Sequence, residues 1–193
     1  MSNMNLPNKL TLLRVLMIPL FLALLYFQSW PHHWLAALVV FALASITDAL
    51  DGNIARSRGL VTDFGKFMDP LADKLLDTAA LMGLVDLLRV PGWVVFLIVA
   101  RELTVTGLRT IAADKGVVIA ADKWGKVKTV SQMVWICYGL LMGWVITAFS
   151  IPGGTAAALH LVFQAGMVLV PASTLLSGAN YLWKNRDLFS QVS

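Results

Sequence analysis

The residues in this chain best able to do chemistry are four aspartates within the segment Thr47–Asp77. Asp48 and Asp51 stand three apart, so they share one face of a helix, and Ala55 falls on that face too. Asp69 and Asp73 stand four apart and share a face of the next helix. A short basic connection containing glycine lies between the two helices, so the four carboxylates can converge. Carboxylates at such close quarters repel one another and stay ionised only with cations among them. Ligands that are all oxygen, with no His or Cys, favour Mg²⁺, Mn²⁺ or Ca²⁺ over zinc. A pair of such metals about 3.5–4 Å apart can clamp the attacking and leaving oxygens of a displacement at phosphorus. Gly52 and Gly65 leave room for a bulky phosphate beside the backbone, and Arg56 can pair with one. The competing reading is that each aspartate caps a helix or pairs with Arg56, Arg58, Lys66 or Lys74. Any single aspartate fits that reading, but four on two matched faces fit it badly. Asp77 extends the four-residue series; pairing with Lys74, or a supporting place behind the others, would account for it.

The elements that must position these groups are apolar helices. Of 193 residues, 58% are hydrophobic and only 13% charged, against about 25% charged in a soluble domain. Mean hydropathy is +0.75. These values exclude a disordered chain and point to a bilayer, as do seven Trp and nine Phe. A lone Cys137 excludes an intrachain disulfide and gives no metal-cluster signal. Six transmembrane helices are predicted: Lys9–Phe27, His33–Arg56, Pro70–Arg89, Gly92–Asp114, Lys123–Phe149 and Thr155–Trp183. Breaks fall at Trp30-Pro31, Pro91-Gly92 and Pro152-Gly153-Gly154. The whole chain, 1–193, reads as one all-α membrane domain, with residues 1–8 lying along the interface or forming a tail. The first apolar run is followed by no small-residue cleavage site and is expected to stay as a span. Lys and Arg gather in the connections after the second and fourth spans and at both ends, while the opposite connections hold only Arg89. Both termini are therefore expected in the cytoplasm.

The string Asp48-x2-Asp51-Gly52-x2-Ala55-Arg56-x8-Gly65-x3-Asp69-x3-Asp73 resembles the signature of the CDP-alcohol phosphatidyltransferase family, with every fixed position present at the family spacing. The resemblance implies the fold of that family: six transmembrane helices, a homodimer and a site facing the cytoplasm. It implies two divalent cations, Mg²⁺ or Mn²⁺. Asp48 and Asp69 would bridge both, Asp51 would bind one, and Asp73 would bind the other and act as general base. Gly52, Ala55, Arg56 and Gly65 would line the site for the CDP group of CDP-diacylglycerol, joined by Thr62 and by Asn8 and Thr11 of the N-terminal Asn-x2-Thr.

The signature leaves the acceptor open. Arg101, Arg109, Lys115, Lys123, Lys126 and Lys128, with Lys9 and Arg14, put cations around the cytoplasmic end, which suits an acceptor carrying its own phosphate. The positive-inside tendency and snorkelling explain many of these cations equally well. They explain Arg101 badly, since an Arg deep in a span wants a partner, for which Glu102 or a ligand phosphate would serve. The segments Asn5–Arg14, Ala100–Glu102, Gly107–Arg109 and Lys123–Thr129 are similar to those of the bacterial phosphatidylglycerophosphate synthase branch of the family. That similarity implies transfer of a phosphatidyl group from CDP-diacylglycerol to glycerol-3-phosphate in a bacterial cell membrane. Arg109, Lys126 and Lys128, then Arg101 and Arg14, would hold the acceptor phosphate.

Other acceptors remain open: phosphatidylglycerol, serine or inositol phosphate. A divalent-cation transporter would need polar groups at several depths, whereas the acids cluster toward one side. Nucleic acid is not an expected partner, because the basic residues are split among short connections. His32 and His33, with Trp30 and Trp34, read as an interfacial belt, and His160 as a buried helical side chain. Gly139, Gly143, Gly166 and Gly178 read as close helix contacts.

Overall fold

The structure is a computed structural model that describes residues 6–57, 63–114 and 123–186. Within them the chain is all α, with no strand among the described residues. The helices are α1 (Leu6–Tyr26), α2 (His33–Ser57), α3 (Asp63–Leu88), α4 (Gly92–Asp114), α5 (Lys123–Ala148) and α6 (Gly153–Lys184). They match the predicted segments except at the start of α3. The sequence places that start at Pro70, a residue that cannot donate to a helical ladder, yet the helix begins at Asp63 and carries Pro70 inside it. Proline also lies inside α1 (Pro19) and α6 (Pro171). In a lipid-embedded bundle, neighbouring helices and local adjustments satisfy the freed carbonyl, so proline does not end the helix there.

Local chemistry explains the turns. Arg89 stops α3 in the left-handed region, at φ 56°. The Val90 amide then bonds back to the Leu84 carbonyl at 3.2 Å. Pro152 precedes α6 with φ −58°, an angle its ring fixes in advance. Between α1 and α2, the buried His33 donates from Nδ1 to the Leu25 carbonyl at 2.7 Å, closing the end of α1. His32 accepts a bond from Trp144 Nε1 at 2.9 Å.

Cross-helix contacts fix the helix directions. Thr11 meets Asp69 and Tyr26 meets Asp86, so α1 and α3 run parallel. Ser131 faces Ser173 while Tyr138 bonds to Leu159, so α5 and α6 run antiparallel. Arg101 meets Ser177 and Arg109 meets Tyr181, so α4 and α6 run parallel. The start of α1, α3 and α5 and the end of α2, α4 and α6 therefore share one end of the bundle.

The core holds Phe21, Leu25, Phe41, Leu84, Ile98 and Ile136, all fully buried or nearly so. Glycines let the helices close around it. A Cβ at Gly166 would fall 2.2 Å from Trp135, and one at Gly143 2.5 Å from Trp34. The outward faces are apolar as well: Phe96, Leu161, Val168 and Leu169 are among the most exposed large side chains. A surface of that kind belongs in lipid. The stretches Asn8–Tyr26, Trp124–Ala148 and Gly153–Lys184 are each long and apolar enough to cross a membrane, and the protein is a membrane protein.

Candidate active site

The carboxylate face is built where α1 meets α3. Asn8, Thr11 and Arg14 recur every three residues on α1, and all three are buried. Thr11 Oγ1 donates to Asp69 Oδ1 at 2.5 Å, which ties the start of α1 to the carboxylate helix. Gly65, also buried, lies one turn before Asp69 on α3. One turn further on, the partly exposed carboxylate of Asp73 lies 3.3 Å from Lys74 Nζ. Asp69 and Asp73 thus present oxygen donors on one face of α3, with Asp73 open to solvent, and this donor set fits a hard divalent cation. Asp48, Asp51, Gly52, Ala55 and Arg56 belong to the last turns of α2. The side chains at these five positions, and Thr62 altogether, lie outside the described residues. Among the described residues no three His, Cys, Asp or Glu side chains come together, so a complete metal set needs the α2 aspartates.

Beside this face a cavity of about 410 Å³ opens among α3, α4 and α5. Lys74, Arg101, Arg109 and Lys126 line it, with Glu102 and Thr129. A Cβ at Gly125, in the first turn of α5, would lie 3.9 Å from Arg101 Nη2. Four cations against one acid give the wall of this cavity a net positive charge. The N-terminal end of α5 adds its positive dipole end to the same wall.

Under the cavity, Glu102 accepts from both Lys74 and Lys128. Lys128 is 0% exposed and Glu102 is buried. A buried charge is tolerated only when paired, and this triad closes that requirement across three helices. Next to it, Gln132 Nε2 donates to Asp77 Oδ2 at 2.9 Å. A cavity of about 30 Å³ adjoins Asp77, Glu102 and Gln132, room enough for one bridging water. On the far wall, Arg101 Nη2 donates to Ser177 Oγ at 2.6 Å. The Arg109 guanidinium stands 5.5 Å from the centre of the Tyr181 ring.

Of the five cations expected to hold an acceptor phosphate, Arg101, Arg109 and Lys126 line the cavity. Lys128 and Arg14 do not: each is wholly buried, and the ammonium of Lys128 is taken by Glu102. Arg101 takes Ser177 as its partner rather than the neighbouring Glu102, which points to the lysines. Asp77 pairs with Gln132, not Lys74. His160 is exposed rather than buried, on a face of α6 turned outward. Lys115 and Lys123 fall outside the residues whose side chains are described. Sequence reasoning missed Ser177 and Tyr181, since neither carries a charge and both sit in an apolar helix.

This chain belongs to the CDP-alcohol phosphatidyltransferase family, whose model matches residues 4–170. It is 41% identical over 192 residues to the CDP-diacylglycerol–glycerol-3-phosphate 3-phosphatidyltransferase of Bacillus subtilis (strain 168), covering 94% of this chain and 95% of that protein. It is 42% identical over 181 residues to a probable phosphatidylglycerophosphate synthase of Mycobacterium tuberculosis (strain CDC 1551 / Oshkosh), covering 92% of this chain and 80% of that one. A Rickettsia felis protein (strain ATCC VR-1525 / URRWXCal2) with the same name as the Bacillus relative is 44% identical over 129 residues, covering 67% of this chain and 71% of its own.

Proposed function

We propose that this chain transfers the phosphatidyl group of CDP-diacylglycerol to sn-glycerol-3-phosphate, releasing CMP and forming phosphatidylglycerophosphate. We place the reaction at the cytoplasmic face of a bacterial cell membrane, in a homodimer whose subunits each cross it six times. The observation that carries the choice of acceptor is the cation-lined cavity beside Asp73. Lys74 belongs to both places, as it lines the cavity and lies 3.3 Å from Asp73. An acceptor with a phosphate at one end and a hydroxyl at the other spans that arrangement. A neutral acceptor such as inositol has no use for the arginines. The relatives in Bacillus and Mycobacterium, matched over nearly the whole chain, carry names for this chemistry.

Two divalent cations, Mg²⁺ or Mn²⁺, held by Asp48, Asp51, Asp69 and Asp73, would neutralise the donor pyrophosphate and the departing CMP. The rest falls to the chain's own groups. Thr11 holds the Asp69 carboxylate in one direction. Asn8, Gly52, Ala55, Thr62 and Gly65 line the CDP side, and Arg56 meets the charge that builds on CMP. Arg101, Arg109 and Lys126 grip the acceptor phosphate and turn its primary hydroxyl toward Asp73. Fixing both reactants replaces a chance encounter with a preset approach. Asp73 takes the hydroxyl proton. The freed oxygen bonds to the phosphorus that bears diacylglycerol as the bond from that phosphorus to the CMP oxygen breaks. Lys128 serves from beneath by holding Glu102.

The test is CMP release by purified protein given CDP-diacylglycerol, Mg²⁺ and one acceptor at a time. Glycerol-3-phosphate should support turnover, while phosphatidylglycerol, serine and inositol phosphate should not. Turnover with one of those three and none with glycerol-3-phosphate overturns the acceptor. Asp73→Asn should abolish turnover in a protein that still elutes as the wild type does, and full activity in that variant removes Asp73 as base.

A further inference from the structure

The cavity draws its cations from α3, α4 and α5, yet two of them are held by α6. Ser177, Gly178 and Tyr181 lie on one buried face of α6, and each meets an arginine of α4. Ser177 Oγ accepts from Arg101 Nη2 at 2.6 Å. Gly178 lets the stem of that arginine lie close, because a Cβ there would come 3.0 Å from Arg101 Cγ. The Tyr181 ring lies under the Arg109 guanidinium, while the Tyr181 hydroxyl, though buried, has no hydrogen-bond partner among the described residues.

We propose that this face of α6 sets the acceptor affinity, with Ser177 and Tyr181 as positioning residues that aim Arg101 and Arg109 into the cavity. The inference rests on the reading of the cavity as the acceptor-phosphate site. An arginine free to rotate loses much of its contact energy to ordering when an anion arrives, and one aimed beforehand does not. Stacking is well suited to this, since a ring occupies the guanidinium face and leaves the in-plane N–H groups for phosphate oxygens. The ring of Tyr181 does this work and its hydroxyl does not. On Arg101, Ser177 takes one Nη2 proton and holds the guanidinium in place at the cavity wall that Arg101 lines. Ser177 and Tyr181 lie beyond residue 170, where the family match ends.

The experiment measures KM for glycerol-3-phosphate and for CDP-diacylglycerol in wild type, Tyr181→Phe, Tyr181→Leu and Ser177→Ala. Tyr181→Leu should raise the acceptor KM about three- to thirtyfold, the span of a cation–π contact from exposed to desolvated, and leave the donor KM in place. Tyr181→Phe, which keeps the ring, should behave as wild type, and Ser177→Ala should raise the acceptor KM severalfold. Equal rises in both KM values, or a Tyr181→Phe as impaired as Tyr181→Leu, overturn the proposal. Should Tyr181→Leu fail to fold, Ser177→Ala carries the test, since it removes one oxygen and an unchanged acceptor KM there also overturns the proposal. Wild-type protein that ignores glycerol-3-phosphate refutes the acceptor reading itself. Wild-type protein that uses it, with acceptor-neutral variants, refutes only the role of α6.

Discussion

At the scale of single residues, the contact that most directly serves the carboxylate face is the one from Thr11 to Asp69. A hydroxyl donating to a carboxylate makes a charge-assisted bond, and such bonds contribute about 1.5–3 kcal/mol. Thr11→Val keeps the shape of the side chain and removes the donor. It should lower CMP release about ten- to a hundredfold and raise the Mg²⁺ concentration for half-maximal rate, while Thr11→Ser stays near wild type. A Thr11→Val enzyme with unchanged rate and unchanged Mg²⁺ dependence would show that Asp69 needs no such support. Asp69 was legible from its four-residue spacing to Asp73, whereas Thr11 entered only through the resemblance of the N-terminal Asn-x2-Thr to the family. Ser177 and Tyr181 were not legible, since an uncharged side chain in an apolar helix reads the same whether it faces lipid or an arginine. Lys128 shows the opposite failure. Its charge is plain in the sequence, but whether it faces a ligand or a buried glutamate depends on which neighbour stands across from it.

At the scale of the helices, the triad of Lys74, Glu102 and Lys128 joins α3, α4 and α5 directly beneath the cavity. Its composition orders the cost of breaking it. Glu102→Gln leaves two ammonium groups facing each other, one of them wholly buried, and an uncompensated buried charge costs about 3–5 kcal/mol. Lys128→Met removes the most buried charge and leaves Lys74 and Glu102 matched one to one. Thermal unfolding in detergent should therefore find Glu102→Gln the least stable, Lys128→Met nearer wild type, and the double variant more stable than Glu102→Gln alone. A double variant no better than Glu102→Gln would argue against charge pairing as the function of the triad. The helices themselves were legible from apolar runs and Pro-Gly breaks, to within a few residues at most ends. The early start of α3 was not, because Pro70 reads as a helix start, and only packing shows that the helix continues through it. The close contacts at Gly143 and Gly166 were readable as a class from small residues in apolar helices, but their partners, Trp34 and Trp135, depend on the fold.

At the scale of the whole molecule, one end of the bundle carries the chemistry and the other almost none. Asn8, Thr11, Arg14, Asp69, Asp73, Arg109 and Lys126 lie toward the end where α1, α3 and α5 begin and α4 stops. The opposite end, past α1, α3 and α5, holds Arg89 as its single Lys or Arg among the described residues. Lys and Arg are retained on the cytoplasmic side during insertion, and glycerol-3-phosphate, a charged metabolite, does not cross a bilayer unaided. Both considerations support the proposal that the cavity faces the cytoplasm. Exposed positions at the two ends allow a direct check in a Cys137→Ser background, which removes the chain's single cysteine. Ser29→Cys sits in the turn after α1, and Lys184→Cys at the end of α6. In intact spheroplasts a membrane-impermeant maleimide should label Ser29→Cys, and it should reach Lys184→Cys only after permeabilisation. The reverse pattern would put the cavity outside the cell, away from its acceptor. Labelling of both positions from the same side would mean that α1 and α6 do not end on opposite faces, and six crossings would then be untenable.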